Sequence, residues 1–213
     1  MTQPFDPAHT LPELVTQIES CQRCPLGRSR THAVPGVGPV NAPIMFIGEA
    51  PGFHEDQQGV PFVGAAGNFL NELLAGINLK RENVYICNVI KCRPPQNRDP
   101  LPEEIEACKP YLDRQIELIK PKVIVTISRF AMARWFANQK ISAIHGQARH
   151  FGHLLVVPFF HPAAALHQPS LRKVIEEDFK KLPGFITSAD KIPIAPPPED
   201  TNEDEPPEQL KMF

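Results

Sequence analysis

Four short apolar runs, separated by longer helical patterns, constrain the fold of this chain more than any other feature of its sequence. The runs are PIMFIGEA (43–50), NVYICNVIKC (83–92), KVIVTIS (122–128) and HLLVVPFFHP (153–162). Each run has the length of a strand and is almost continuously apolar, which is typical of strands buried on both faces. The sequence therefore predicts a central sheet that is covered on both sides.

Helical patterns lie between and around these runs. They are expected at 11–21, 65–77, 101–119, 129–139 and 169–182. Strands that alternate with helices indicate a parallel sheet, because each connection must cross back over the sheet. We therefore expect an α/β fold, a three-layer sandwich in which helices flank a central four-stranded parallel sheet.

The last part of the chain has a different composition. From Thr187 onward there are seven acidic residues and two lysines, a charge of −5 against −2 for the whole chain, which leaves +3 for the rest. This proline- and acid-rich segment buries too little apolar surface to fold. We expect one folded domain over 1–185 and a disordered tail over 186–213. A domain charge of +3 permits binding to a polyanion without requiring it.

Targeting features are absent from the sequence pattern. The chain has no apolar run of about 18 residues, so no membrane span is predicted. The first residues, MTQPFDPAHTLPEL, lack a basic stretch followed by an apolar block. We therefore expect a cytoplasmic protein, and we expect it to be a monomer.

Polar residues set among glycine and proline follow three of the four apolar runs. GEAPG follows the first run, NVIKCRPP ends the second, and HPAAAL follows the fourth. In parallel sheets, ligands bind beyond the carboxyl ends of the strands. The sequence therefore predicts a site at this edge of the sheet.

The five cysteines fall into two groups. Cys21 and Cys24 form a C-x-x-C pair, while Cys92 follows a strand and Cys108 lies in a helical pattern. In a cytoplasmic chain such a set is typical of metal ligands, and four thiolates suit either tetrahedral zinc or an iron–sulfur cluster. Cys87 lies inside a predicted strand, where a thiol packs as a small hydrophobe.

Four motifs, taken together and in this order, carry a family resemblance. They are GEAPGFHED (48–56), PFVG (61–64), NVIKCRPP (88–95) and HPAAAL (161–166), in register with the cysteine pattern C-x2-C…C-x15-C. Over roughly residues 18–185 the chain resembles the family four uracil-DNA glycosylases, the iron–sulfur branch of the uracil-DNA glycosylase superfamily. The resemblance implies a DNA repair enzyme that flips uracil out of single- or double-stranded DNA and hydrolyses its N-glycosidic bond, leaving an abasic site and free uracil.

The resemblance also implies a cofactor. It assigns Cys21, Cys24, Cys92 and Cys108 to a four-iron, four-sulfur cluster with a mainly structural role, with zinc as the less favoured alternative. The rival interpretation is a catalytically silent, zinc- or cluster-bearing module that binds nucleic acid on the same fold.

Three residues match the family's pocket and distinguish an enzyme from a silent module. Phe62 resembles the aromatic residue that stacks on uracil, and Asn88 resembles the residue that reads the uracil edge. An amide can accept from uracil N3–H and donate to O4. His161 resembles the donor to the departing uracil, a task for which a neutral imidazole suffices.

The GEAPG loop is expected to present backbone N–H groups at Ala50 and Gly52 to the substrate and to bring Glu49 and Glu55 to the pocket. The first family of these enzymes has a water-orienting aspartate where this chain has Ala50. The water must therefore be held by backbone groups or by another carboxylate, for which Glu55 is the candidate, and we expect a catalytic role for Glu49 and Glu55. For Glu55 two roles stay open, namely holding the water or excluding the methyl group of thymine.

Further residues are implied in DNA binding. Leu166 resembles a wedge that enters the minor groove, and Arg172 and Lys173 are expected to contact phosphates. A relative within the superfamily cross-links to its abasic product through a histidine after the cluster loop, but the stretch 92–104 here has no histidine. We therefore expect turnover without a covalent trap.

The end of the tail becomes apolar again. Gln209, Leu210, Met212 and Phe213 resemble the short motif by which bacterial repair and replication proteins dock on the sliding clamp. The tail is expected to act as a tether for this motif.

Overall fold

The central sheet has five strands. The computed structural model describes residues 5–189 of the chain. Its strands are β1 Ile44–Gly48, β2 Tyr85–Asn88, β3 Val123–Thr126, β4 Arg149–Phe151 and β5 Leu154–Pro158, in the spatial order β2-β1-β3-β5-β4. The four predicted runs form β2, β1, β3 and β5, and these strands pair in parallel.

β4 is a strand that the sequence did not predict. It pairs antiparallel with β5, with Phe151 opposite Leu154, and the chain reverses at Gly152, which has φ of 60°. β4 has three residues, of which only His150 is buried. A short edge strand with polar side chains gives no apolar run, so its sequence does not distinguish it from a loop.

Nine helices surround the sheet in the described part of the chain. They are α1 Leu11–Glu19, α2 Leu26–Ser29, α3 Phe53–Gln58, α4 Ala65–Ala75, α5 Pro102–Ile119, α6 Arg129–Ala133, α7 Ile141–Ile144, α8 Pro162–His167 and α9 Leu171–Ser188. None of these helices is long and apolar enough to cross a membrane.

Two helices end more than two residues away from their predicted ends. α6 ends at Ala133, whereas the predicted helix continued to residue 139. The chain turns at this point, because the backbone N–H groups of Trp135 and Phe136 both donate to the carbonyl of Met132. α9 continues to Ser188, past the expected end of the folded part at 185. The predicted tail beyond residue 189 lies outside the described residues.

The side chains of the sheet separate into two apolar layers. Along β1, Ile44 and Phe46 pack against the layer of α4 and α9, while Met45 and Ile47 pack against the layer of α5 and α6. Successive side chains of a strand point to opposite faces, so a fully buried strand needs a cover on each. The three-layer sandwich is therefore confirmed, with five strands in place of four.

Candidate active site

The predicted pocket residues meet at the carboxyl edge of the sheet. Gly48 ends β1 and pairs in register with Asn88, which ends β2. A methyl group added to Gly48 would collide with Asn88 Oδ1 and would lie 2.9 Å from the ring of Phe62. Both side chains therefore lie over Gly48, and only a glycine leaves room for them.

Asn88 is buried with an unsatisfied acceptor. Its side chain is 2% exposed, and its Oδ1 has no hydrogen-bond partner among the described residues. A buried acceptor without a partner costs about 1–3 kcal/mol. Such a cost is expected where a ligand supplies the missing N–H group.

Phe62 is held in a strained backbone conformation. Its φ is 54°, which is rare for a bulky residue. Arg81 donates to the carbonyl oxygens of both Phe62 and Pro61, and Gly67 leaves no room for a Cβ against the Phe62 carbonyl. These contacts fix the ring over the pocket. Sequence reasoning missed Arg81, which has no motif around it.

The ring of Phe62 also contacts His161, the second predicted pocket residue. The two rings are stacked, with centroids 5.5 Å apart and planes inclined by 30°. His161 lies at the N-cap of α8, where its Nδ1 accepts a hydrogen bond of 3.0 Å from the backbone of Ala163. In a neutral ring the proton is therefore on Nε2. Burial lowers the pKa of His161 to about 4, against a smaller opposing effect of Glu55.

Glu55 is occupied by backbone hydrogen bonds. Its Oε1 accepts from the N–H groups of Val63 (3.0 Å) and Gly64 (3.1 Å), and its Oε2 accepts from Gly52 (3.1 Å). These bonds tie the start of α3 to the turn that carries Phe62. The geometry thus gives Glu55 a positioning role, and neither of the two roles left open by the sequence follows from it.

The backbone N–H groups of the GEAPG loop divide into two kinds. The N–H of Gly52, expected to contact the substrate, donates to Glu55 in this structure, so a substrate contact of Gly52 stays a prediction. The N–H of Ala50 forms no hydrogen bond to the described residues and stays a candidate donor.

Glu49 is the carboxylate of this loop that has no hydrogen-bond partner among residues 5–189. Burial raises its pKa, and so does the nearby carboxylate of Asp99, while Arg129 lowers it. Asp99 and Arg129 form an ion pair with each other. Glu49 therefore offers a carboxylate directly after β1 without a competing hydrogen bond from the described part of the chain.

Lys91 connects the pocket to the cysteines. It is 1% exposed, and its Nζ donates to the carbonyl of Asn88 (2.7 Å) and to Gln115 Oε1 (2.6 Å). Its backbone N–H donates to the sulfur of Cys108 at 3.3 Å. The sequence did not predict that Lys91 links the pocket to the cysteines, because a lysine beside a cysteine is typical of an exposed loop.

The four predicted ligand cysteines line one cavity. Its walls include Cys21, Cys24, Cys92 and Cys108. Arg30 Nη1 donates to the sulfur of Cys92 at 3.0 Å. Burial raises the pKa of Cys92 to about 11 and that of Cys108 to about 12. Thiolates in such a place need positive charge close by, as a bound metal centre provides.

The four thiols are not arranged as a ready-made site for one ion. Within the described residues no three His, Cys, Asp or Glu side chains are arranged to bind a single metal ion. Four thiols around a common cavity, with N–H groups donating to the sulfurs of Cys21, Cys92 and Cys108, are a donor set that suits a cluster or a tetrahedral ion. Cys87 does not line the cavity, as predicted.

The predicted DNA-binding residues differ in their surroundings. Leu166 is 49% exposed on α8, which favours the surface role over packing in the core. Arg172, expected to contact phosphate, instead bonds to Glu72 and Glu176 and lies 4.5 Å over the ring of Phe69. Both carboxylates are exposed ion-pair partners, and the phosphate contact of Arg172 stays a prediction. Lys173 is exposed, and its phosphate contact stays a prediction.

The fold and the site together define a class of protein, an α/β sandwich whose carboxyl edge brings together an aromatic ring, an amide with an unpartnered oxygen and an imidazole. The model of the Uracil DNA glycosylase superfamily matches residues 35–182. The chain therefore belongs to the uracil-DNA glycosylase superfamily, within which it groups with the type-4 enzymes.

Three relatives illustrate this grouping. The type-4 uracil-DNA glycosylase of Archaeoglobus fulgidus is 50% identical over 183 residues, covering 81% of this chain and 92% of the relative. That of Sulfurisphaera tokodaii is 48% identical over 183 residues, covering 81% and 83%. That of Thermotoga maritima is 44% identical over 182 residues, covering 83% and 95%.

Proposed function

We propose that this protein is a uracil-DNA glycosylase that flips uracil out of DNA and hydrolyses its N-glycosidic bond. The observation that carries the proposal is the buried Oδ1 of Asn88, which lacks a partner and lies beside the ring of Phe62. Uracil supplies the N3–H that Asn88 lacks, and its flat ring can stack on Phe62. The similarity to type-4 enzymes supports the same substrate.

Base selection follows from the amide of Asn88. With its oxygen accepting from N3–H, its nitrogen can donate to O4 of uracil. Cytosine presents an acceptor at N3 and a donor at C4, the opposite pattern, and would leave the buried oxygen unsatisfied. Phe62 stacks without choosing among bases, so discrimination belongs to Asn88.

His161 stabilises the leaving group. When the bond between C1′ and N1 breaks, its electron pair stays on uracil and charge develops at O2. The Nε2–H of His161 donates to that charge from a fixed position, which a neutral imidazole can do throughout the physiological pH range.

Glu49 holds the nucleophile in this proposal. Its carboxylate positions a water molecule whose oxygen attacks C1′, and it accepts the proton that the water releases. The products are an abasic site and the uracil anion, which solvent protonates. Support comes from the lack of a competing hydrogen bond at Glu49 and from its place at the end of β1.

We infer that Cys21, Cys24, Cys92 and Cys108 hold a four-iron, four-sulfur cluster, as the type-4 grouping and their shared cavity support. When bound, the cluster supplies a four-point covalent link between the segment after α1, the loop after β2 and α5. Lys91 then connects that link to the backbone of Asn88, so the cysteines position the pocket.

The function is tested by incubating the purified protein with single- and double-stranded oligonucleotides that contain one uracil, followed by alkaline cleavage. We expect strand scission at the uracil and none with cytosine or thymine there. Binding without scission would favour the silent module and overturn the enzyme. The Asn88→Ala protein serves as the matched control for contaminating glycosylase.

The tail motif supplies a separate proposal. Gln209, Leu210, Met212 and Phe213 lie outside the described residues, and their sequence supports docking on the bacterial sliding clamp. A pull-down with purified clamp should lose the protein when residues 209–213 are removed, while uracil release from short oligonucleotides stays unchanged. Equal capture of both proteins would overturn this proposal.

A further inference from the structure

Phe53 presents a large aromatic surface to solvent beside the pocket. It is 51% exposed, and it is the one aromatic side chain among the exposed large apolar residues of the described part. It begins α3, directly after the loop that carries Glu49 and Ala50. An exposed ring at the rim of a site points to a binding surface, because nothing in the core requires it there.

Arg93 holds this ring in place. Its guanidinium lies 5.1 Å from the centroid of Phe53, and its Nε donates to Asn97 Oδ1 at 2.7 Å. The imidazole of His54 meets the same ring edge-on, with centroids 5.5 Å apart. Two neighbours thus fix Phe53 while half of its surface stays open, so a ligand can stack on it without first ordering it.

The charge of Arg93 is also available. No carboxylate forms an ion pair with it within residues 5–189, whereas the nearby Arg98 and Arg129 each pair with an acid. Arg93 lies in the loop that follows Asn88 at the end of β2, and Phe53 directly follows the GEAPG loop. The ring and the guanidinium therefore come from the two loops that build the pocket. An aromatic ring beside a free guanidinium matches a base and its phosphate.

We propose that Phe53 and Arg93 form a stacking platform for the nucleobase adjacent to the flipped uracil on the same strand, with the guanidinium of Arg93 facing the intervening phosphate. This inference rests on the proposed function. An adjacent base can stack on Phe53 only after it leaves its own neighbours, so the platform favours single strands and other flexible sites over a regular duplex.

The test measures kcat and KM for uracil release from a single-stranded oligonucleotide by the wild-type, Phe53→Ala and Phe53→Tyr proteins. Loss of one base stack is expected to raise KM between about fivefold and 150-fold in Phe53→Ala with kcat unchanged, and Phe53→Tyr should restore the wild-type value. Phe53 is half exposed, so both variants should fold, which thermal unfolding checks.

A second arm identifies the occupant. Two further substrates carry a tetrahydrofuran spacer in place of the base on the 5′ side or on the 3′ side of the uracil. One of the two spacers should raise the KM of the wild type, and neither should raise the KM of Phe53→Ala any further. Val40→Ala is the matched control, because Val40 is 56% exposed but precedes β1, at the opposite edge of the sheet. It should behave as the wild type does.

The outcomes separate the two proposals. A wild-type protein that releases no uracil overturns the proposed function itself. If the wild type is active, two results overturn the platform alone. One is a KM of Phe53→Ala within twofold of the wild-type value, and the other is a spacer effect of equal size in both proteins.

Discussion

The imidazole of His161 stacks on the ring of Phe62 at a centroid distance of 5.5 Å, while its Nδ1 caps α8. One side chain therefore does two separable things. The cap uses Nδ1 as an acceptor, and the chemistry uses Nε2–H as a donor. An asparagine at this position could still accept the bond from the helix but would not reach the leaving group.

The first prediction uses this separation. His161→Asn should lower kcat about 10²- to 10³-fold, the usual loss for one donor to a developing anion, and leave the thermal unfolding midpoint nearly unchanged. His161→Ala should lose both activity and about 1 kcal/mol of stability through the missing cap. Single-turnover kinetics and thermal unfolding measure these effects. A kcat of His161→Asn close to that of the wild type would contradict the role of Nε2.

The second prediction concerns Asn88. Its Oδ1 has no partner to lose, and the cost of about 1–3 kcal/mol for burying it is removed in Asn88→Ala, so this variant should not be less stable than the wild type by more than about 1 kcal/mol. Uracil release should fall about a hundredfold or more, since reading of the base edge is lost. Denaturant unfolding and kcat/KM check the two parts. A large loss of stability with retained activity would show that Asn88 is structural.

The third prediction is a pH dependence. Burial raises the pKa of Glu49 above its ordinary value of 4.5, so its carboxylate forms only as the pH rises through that higher value. Activity that needs the carboxylate should therefore rise with pH along an acid limb, which Glu49→Gln should remove together with most of kcat. His161, whose pKa is about 4, is neutral over the range above pH 5 and should add no inflection there. An acid limb unchanged in Glu49→Gln would exclude Glu49 as its source.

The fourth prediction distinguishes Glu55 from Glu49. Loss of its three backbone hydrogen bonds in Glu55→Ala should destabilise the protein by about 2–3 kcal/mol and raise KM through a misplaced Phe62. The pH profile of kcat should keep its shape, because Glu55 takes no proton in the reaction. Glu55→Gln, which can still accept at one oxygen, should recover most of the loss. A shifted pH profile would instead support a direct role with water.

The fifth prediction concerns the cysteines. Cys92→Ser should lower the iron content and visible absorption of the purified protein, together with its unfolding midpoint, since Cys92 lines the cavity. Cys87→Ala is the matched control, a buried cysteine of β2 outside the cavity that should retain iron. Zinc in place of iron in the wild-type protein would overturn the cluster, and loss of iron in Cys87→Ala would overturn the choice of ligands.

The sequence by itself determined much of this protein. Continuous apolar runs predicted the parallel strands, because a strand that is buried on both faces is apolar at successive positions and forms an uninterrupted apolar run in the sequence. The residues after those runs, Asn88 and His161 among them, were predicted as a site because parallel strands place their carboxyl ends at one edge. The four ligand cysteines followed from their spacing and from the family resemblance.

Only the tertiary structure decided how individual side chains are used. Glu55 bonds to Val63 in the next loop, Arg172 pairs with Glu72 of another helix, and Lys91 reaches Gln115 through the core. Such partners depend on distances of a few ångströms between separate elements, which no local pattern encodes. The exposed ring of Phe53 belongs here too, because its neighbour Arg93 comes from another loop. Local sequence thus specifies which chemistry is present, and packing specifies which groups remain free to perform it.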